Sequence, residues 1–173
     1  MSKQSNNITI IVDSLQRGGA GRQALFLSQA LMNAGYKVSI IPFNDGDLNK
    51  SDLIGDCSIL ALRPILDVSS FFGKVLFLLQ KIIYLRRHCI DKKPVIISFL
   101  TENNCIACLA SLGLPLKLVV CERNYLPAKW AFLRDRRGKF FYNSVVRLLY
   151  TFASITVAQT REGGAWLREI HKN

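Results

Sequence analysis

The sequence lacks both a long apolar run and a secretory signal. Its most apolar stretch, residues 75–79, is followed directly by Gln80 and Lys81. No segment therefore reaches the roughly 18 consecutive apolar residues that a membrane-spanning helix needs. The first seven residues are polar, and the apolar run after them is too short for a signal peptide. These absences predict a cytoplasmic chain that makes at most peripheral contact with the inner face of a membrane.

Acidic residues are scarce, because 12 Asp and Glu stand against 23 Lys and Arg, which gives a formal net charge of +11 at pH 7. Most of the excess lies in the second half of the chain and includes the basic stretch 129–139. Such a bias favours an anionic partner, which could be a membrane surface, a phosphate group or nucleic acid. The sequence contains no recognition-helix or base-stacking motif, so no nucleic-acid partner is predicted.

Histidine is limited to His88 and His171, and neither lies at metal-ligand spacing from Cys105 and Cys108. A zinc site would also need a second pair of ligands, so no metal and no other cofactor is predicted. All five cysteines lie inside apolar segments, which is typical of reduced and buried thiols.

The first forty residues have the pattern of a strand, a glycine turn, a helix and a second strand. Apolar strand patterns at 8–12 and 37–41 flank a turn with three glycines at 18–21 and an amphipathic helix pattern at about 23–34. Backbone N–H groups at such a helix start favour an anion. The glycine spacing matches neither the dinucleotide fingerprint nor a nucleoside-triphosphate loop. A tight turn and a phosphate cradle both remain possible.

The rest of the chain alternates strand and helix patterns. Further strands are predicted at 57–62, 94–99, 116–121 and 154–158, and helices at 69–89, 104–112, 140–152 and 161–171. This alternation predicts an α/β fold of one domain, a Rossmann-like doubly wound parallel sheet of order 3-2-1-4-5-6. The basic amphipathic helix at 69–89 is either a sheet-covering helix or an interfacial one.

Polar residues follow the fourth and fifth predicted strands. Glu102 and Asn103 follow the fourth, and Glu122, Arg123 and Asn124 follow the fifth. We expect them near the glycine turn, because the carboxyl ends of parallel strands share one edge, where open α/β sheets bind ligands. For Glu122 and Arg123, a solvent-facing pair at a strand end is the alternative.

Several segments together resemble the N-terminal domain of retaining GT-B glycosyltransferases of family 4. They are residues 10–20 with the glycine pair, 30–38, 94–98, the segment Cys121-Glu122-Arg123-Asn124, which is close to a Ser-Glu-Arg-Asn motif, and 155–160. In that family the N-terminal domain binds the acceptor, the C-terminal domain holds the nucleotide sugar, and no metal is needed. The resemblance implies that Gly18 and Gly19 face the donor diphosphate and the reacting sugar, with Arg22 beside them. It also implies that the acceptor side is lined by Glu102, Asn103, Glu122, Arg123 and Asn124, and it assigns no catalytic residue.

The sequence departs from this family at its donor-domain motif, two glutamates separated by seven residues. The closest two glutamates here, Glu162 and Glu169, are separated by six. The chain therefore resembles the acceptor-side half of an enzyme that acts on a lipid-linked or surface-polysaccharide acceptor, with its donor domain missing or on a separate chain. The alternative is a non-catalytic remnant or a binding module for anionic membrane surfaces. A nucleotide-dependent oxidoreductase is disfavoured, because Pro42-Phe43-Asn44 stands where an acidic ribose ligand is expected.

Overall fold

The computed structural model describes residues 6–16, 18–44, 57–60, 62, 69–123 and 136–170. The strands are β1 (Asn7–Val12), β2 (Lys37–Pro42), β3 (Ser58–Ile59), β4 (Val95–Phe99), β5 (Leu118–Glu122) and β6 (Ile155–Ala158). The helices are α1 (Gly18–Asn33), α2 (Phe71–Lys92), α3 (Thr101–Ser111), α4 (Arg136–Tyr150) and α5 (Arg161–Ile170). All strand pairs are parallel and the order is β3-β2-β1-β4-β5-β6, which confirms the predicted topology.

The sheet separates two apolar cores, as expected for parallel strands that are buried on both faces. Residues 8–12 of the central strand β1 are all buried. On one face, α1 packs through Ala24 against β1 and β2. On the other face, α2, α3, α4 and α5 pack side by side over a larger core. Tyr150 and Trp166 lie in this second core with their rings edge to face, 6.4 Å apart.

Three helices begin earlier than the sequence predicts, and one of them is α4, which starts at Arg136 rather than Phe140. Helix α1 starts at Gly18 rather than near Gln23, so the glycines belong to its first turn instead of a preceding loop. Helix α3 starts at Thr101 rather than Asn104. These three starts were predicted wrongly because glycine, in α1 and α4, and short polar residues, in α3, are weak helix formers, although such residues are common in first turns. Strand β3 is also shorter than predicted, since only Ser58–Ile59 forms it.

Helix α2 extends beyond the carboxyl edge of the sheet. Nζ of Lys81 lies 3.3 Å from Oδ1 of Asn44, just past the end of β2. At about 1.5 Å per residue, the ten residues of α2 that precede Lys81 add about 15 Å beyond that level. The projecting part exposes five apolar side chains, Phe71, Phe72, Val75, Leu78 and Leu79. Among the described residues, no helix is long and apolar enough to cross a bilayer.

The carboxyl-terminal half of α2, here called its lower half, covers the sheet through Leu85 and Cys89, which are buried. The sheet-covering interpretation of this helix is therefore confirmed for the lower half, while an interfacial role stays a prediction for the projecting half.

The cysteines are free thiols. Cys89 and Cys108 are buried, as predicted, whereas Cys57, Cys105 and Cys121 are only partly buried. Burial raises the pKa of the Cys108 thiol to about 12 and that of Cys89 to about 11, so both are protonated and unreactive at neutral pH. Within the described part of the chain, no three His, Cys, Asp or Glu side chains are grouped closely enough to hold a metal ion.

Candidate functional site

The start of α1 and the exit of β5 meet at the carboxyl edge of the sheet. A methyl group placed on Gly19 would lie 3.9 Å from Nη2 of Arg123. The first turn of α1 has no acidic residue, so no carboxylate of its own neutralises its backbone N–H groups. The guanidinium and the positive end of the helix dipole therefore act on the same space, an arrangement that attracts an anionic group such as a phosphate.

The three glycines of the first turn of α1 serve different purposes. Gly18 has a φ of +78°, a left-handed conformation that a side chain would strain. Gly21 is buried, and a methyl group there would come within 2.5 Å of the Ser14 carbonyl oxygen. Gly21 thus lets the helix approach the segment that leaves β1. Gly19 is exposed and has room for a side chain, so its backbone is accessible to a ligand.

Glu122 is held inside the protein behind Arg123. Its side chain is only 3% exposed. The Thr101 hydroxyl donates to both carboxylate oxygens at 3.0 and 2.9 Å, the Tyr150 hydroxyl donates at 2.6 Å, and the backbone N–H of Arg123 donates at 3.1 Å. The alternative of a solvent-facing pair is therefore wrong for Glu122. Its carboxylate instead ties β5, α3 and α4 together and anchors the residue that borders the helix start.

Asn104 extends the buried network around Glu122. Its Nδ2 donates to the Tyr150 hydroxyl at 3.0 Å and to the Cys121 carbonyl at 3.3 Å. Burial, and then the negative charge of Glu122, raises the pKa of Tyr150, which keeps its proton and remains a donor.

The exit of β4 is strained at the same edge. Leu100 has a φ of +75°, which is rare for a residue with a side chain and occurs mostly where the surrounding structure imposes it. In the first turn of α3, Asn103 is buried and its Nδ2 donates to the Phe99 carbonyl at 3.0 Å, while Glu102 is exposed. The structure thus brings Glu102 to the surface of the edge and places Asn103 beneath it.

Two predicted site residues are less closely tied to this geometry. Arg22 is exposed in the second turn of α1. Asn124 lies outside the described residues. The ligand contacts predicted for all eight site residues stay predictions.

A second polar group, not predicted from the sequence, lies at the same edge and is formed by Asp13, Asn44 and Lys81. Asn44 donates from Nδ2 to Oδ1 of Asp13 and accepts a hydrogen bond from Lys81 at 3.3 Å. The ammonium of Lys81 also lies 4.3 Å from the centroid of the Phe77 ring. Burial lowers the pKa of Lys81, and the nearby charges of Asp13 and Glu102 partly oppose this shift.

Only part of this second group could have been found from the sequence. Asp13 follows β1 directly and Asn44 comes two residues after β2, so the rule applied to the exits of β4 and β5 would also have selected them. Lys81 lies in the middle of α2, where nothing in the local sequence distinguishes it from other basic residues.

The edge therefore combines two chemical environments. The side formed by Gly19 and Arg123 is cationic and offers backbone donors. The side formed by Asp13, Asn44, Lys81 and Glu102 offers both donors and acceptors, as hydroxyl-rich ligands require.

No model of a protein family and no curated protein matches the chain by sequence. Its structure, however, is similar to several solved structures. Sucrose-phosphate synthase (tll1590) from Thermosynechococcus elongatus matches with a TM-score of 0.74 and 14% identity, over 99% of this chain and 46% of that one. A putative UDP-N-acetylglucosamine 2-epimerase from Listeria monocytogenes matches with a TM-score of 0.62 and 13% identity, over 99% and 43%. UGT2 of Phytolacca americana matches with a TM-score of 0.57 and 11% identity, over 89% and 45%.

The chain thus spans a little under half the length of each of these structures. At such low identity, the similarity establishes the fold alone. The chain has the Rossmann-like α/β fold found in GT-B proteins.

Proposed function

We propose that the chain is the acceptor-side half of a retaining glycosyltransferase of the GT-B type, related to family 4. It transfers a sugar from a nucleotide sugar to a lipid-linked or surface-polysaccharide acceptor once a donor-side domain completes the cleft. The observation that carries the proposal is the adjacency of Gly19 and Arg123, because it joins backbone donors and a guanidinium at the edge where such sheets bind ligands. The GT-B fold of the neighbours supports the same function.

In this proposal, the start of α1 and Arg123 stabilise the negative charge that develops on the leaving diphosphate. Preorganised donors at the position where charge develops are among the largest contributions to catalysis. Glu122 acts as a positioning residue, since its carboxylate accepts the backbone N–H of Arg123 and is itself fixed by Thr101 and Tyr150. Exposed Glu102 accepts hydrogen bonds from acceptor hydroxyls on the other side of the edge.

A glycosyl-transfer assay tests the proposal. The chain is assayed alone and mixed with the product of the adjacent reading frame, using a panel of nucleotide sugars and a membrane extract as acceptor. We expect transfer only in a mixture that supplies a donor-side domain, because in this proposal the groups that hold the nucleotide belong to that domain. The absence of transfer from a mixture in which both parts are folded would contradict the proposal.

A second candidate function, contact with an anionic membrane, is favoured by a group of exposed aromatic residues. Phe71 and Phe72 open α2 and are 83% and 69% exposed, and Phe140 and Phe141 in the first turns of α4 are 75% and 72% exposed. We call these four residues the edge aromatic surface. Both helices pack on the same face of the sheet and begin toward its carboxyl edge, as helices in parallel crossovers do.

Positive charges lie close to the edge aromatic surface in the sequence. Lys74 is exposed one turn after Phe71, and Arg136, Arg137 and Lys139 directly precede Phe140. Aromatic side chains beside basic ones are typical of segments that bind the surface of an anionic bilayer. Such contact would bring the carboxyl edge toward a lipid-linked acceptor, so this candidate is compatible with the first.

A further inference from the structure

The amino half of the sheet carries a row of polar side chains on the face that α2 covers. Thr9, Ser39 and Ser58 are paired across β1, β2 and β3, so they lie side by side on one face. The residues two positions further along the chain are apolar. Ile11 and Ile41 belong to the core beneath α2, and Leu60, just past β3, packs against it. Because parallel strands are normally apolar on both faces, three aligned hydroxyl groups mark a place where the apolar core ends.

A cleft of about 1050 Å³ lies between this hydroxyl row and the last turns of α2. Tyr84, Arg87 and His88 line it from α2, and Tyr36 lines it from the segment between α1 and β2. Its volume is close to the upper end of the range of small-molecule sites, about 300 to 1,000 Å³.

His88 is fixed over the hydroxyl row. Its Nε2 lies 2.9 Å from Oγ1 of Thr9, which is only 1% exposed. Burial, and then the charge of Lys92, lowers the pKa of His88, so its imidazole is neutral near pH 7. A neutral imidazole both donates and accepts hydrogen bonds, as hydroxyl-bearing ligands require.

Positive charge surrounds the opening of the cleft. Lys37, Arg87 and Lys92 line it, whereas Asp91 is the one acidic residue among its described lining residues. The carboxyl ends of α1 and α2 add some negative potential nearby, which Lys37 and Lys92 offset. The balance favours an anionic ligand, and Arg87 offers the bidentate geometry that suits a phosphate or a carboxylate.

We propose that this cleft binds a small anionic carbohydrate, a sugar that carries a phosphate or a carboxylate. The hydroxyl row and His88 bind the sugar hydroxyls, the rings of Tyr36 and Tyr84 contact the apolar faces of the sugar, and Arg87 binds the anionic group. The cleft lies at the opposite end of the strands from Gly19 and Arg123. This inference therefore does not depend on the glycosyltransferase function proposed above.

Isothermal titration calorimetry of the full chain tests the inference with glucose 6-phosphate, glucuronate, glucose and inorganic phosphate. We expect saturable binding of glucose 6-phosphate or glucuronate, at least about tenfold tighter than that of glucose or phosphate alone, because both parts of the ligand contribute. The comparison of the two anionic sugars identifies the anionic group. Failure of both to bind, or equal binding of neutral glucose, would overturn the inference.

Variants locate the binding site. Arg87→Gln should weaken binding about tenfold or more, as expected when a hydrogen bond to a charged group is lost. Lys74→Gln is the matched control, since it removes one positive charge at the far end of the same helix, and it should leave binding unchanged. Both side chains are exposed, and thermal unfolding confirms that the variants remain folded. An equal loss with Lys74→Gln, or a loss with Arg123→Gln instead of Arg87→Gln, would contradict binding in this cleft.

Discussion

Gly21 and Gly19 lie two positions apart in α1 but have different surroundings. A methyl group on Gly21 would meet the backbone of Ser14 and Leu15 at 2.5 to 3.0 Å, and backbone atoms cannot rotate away as side chains do. We expect Gly21→Ala to lower the free energy of unfolding by about 1 to 3 kcal/mol. Gly19→Ala should be neutral or stabilising by up to about 1 kcal/mol, because alanine is the better helix former and the site has room.

Urea unfolding of the two glycine variants measures the difference. Gly19→Ala is the matched control, since it is the same substitution in the same turn of the helix. Equal destabilisation by both substitutions would show that the conformation of the turn, rather than the approach of α1 to the β1 exit, decides the stability.

The hydroxyl of Tyr150 donates the shortest of the described hydrogen bonds to Glu122, at 2.6 Å. Tyr150→Phe removes this donor and leaves a buried carboxylate oxygen less satisfied, which typically costs about 1 to 3 kcal/mol. We expect a loss of that size in the free energy of unfolding, measured by urea titration at neutral pH. Tyr36→Phe, which changes a tyrosine that is 38% exposed, is the control and should have almost no effect.

Ionisation of the same tyrosine should make the free energy of unfolding depend on pH in the alkaline range. Burial and the charge of Glu122 raise the pKa of Tyr150 in the folded state, whereas the unfolded chain loses this proton near pH 10. Its contribution is therefore complete below about pH 10 and decreases as the pH rises above that value. In unfolding measured from about pH 9 to 11, Tyr150→Phe should lose less stability than the wild type. Parallel curves would contradict this assignment.

At the scale of elements, the sequence predicted the order of the sheet because each strand lies within an apolar run that can be recognised alone, even where, as in β3, only two residues of the run form the strand. The starts of α1 and α3 could not be predicted in the same way. Glycine and asparagine favour turns locally, but Asn103 and Asn104 are held by carbonyl groups of neighbouring strands.

The site residues show the same limit. Glu122 was selected correctly as lying at the β5 exit, yet its burial depends on Thr101 and Tyr150, which are 21 and 28 residues away in the chain. Lys81 reaches the edge because α2 extends past it, which depends on how the whole helix is placed. The position of a residue along a strand can therefore be predicted from the sequence, whereas its contacts with elements distant in the chain cannot.

The edge aromatic surface supports a prediction about membrane binding. The double variant Phe72→Ser and Phe141→Ser should reduce binding to phosphatidylglycerol vesicles about a hundredfold or more, because burying each phenylalanine side chain in the bilayer contributes roughly 1.5 to 3 kcal/mol. Vesicle flotation measures the bound fraction. The matched control is Phe26→Ser, which removes a 71% exposed phenylalanine from α1 on the other face of the sheet. An equal loss with the control, or none with the double variant, would contradict the prediction.

At the scale of the whole molecule, the chain matches a little under half of each solved neighbour, and its candidate ligand site lies at an edge of the sheet. Under the proposed function, a donor-side domain binds over that edge and encloses the site. Binding to the folded form alone stabilises it, by about 2.7 kcal/mol when the partner is present at a hundred times its dissociation constant. We therefore expect the unfolding midpoint of the chain to rise when the donor-side domain is added.

Arg123→Gln separates this association from catalysis in the reconstituted pair. The substitution removes the guanidinium charge that, in the proposed function, stabilises the leaving diphosphate. Transfer should therefore fall about a hundredfold to a thousandfold. The rise in the unfolding midpoint should largely persist, because a domain interface contains many residues and most of them cost less than about 1 kcal/mol when truncated. Arg147→Gln is the control, since this arginine pairs with Glu169 between α4 and α5, and it should leave transfer unchanged. If Arg123→Gln retains full transfer while the midpoint still rises, the two halves associate but the anion-binding role of this edge is wrong.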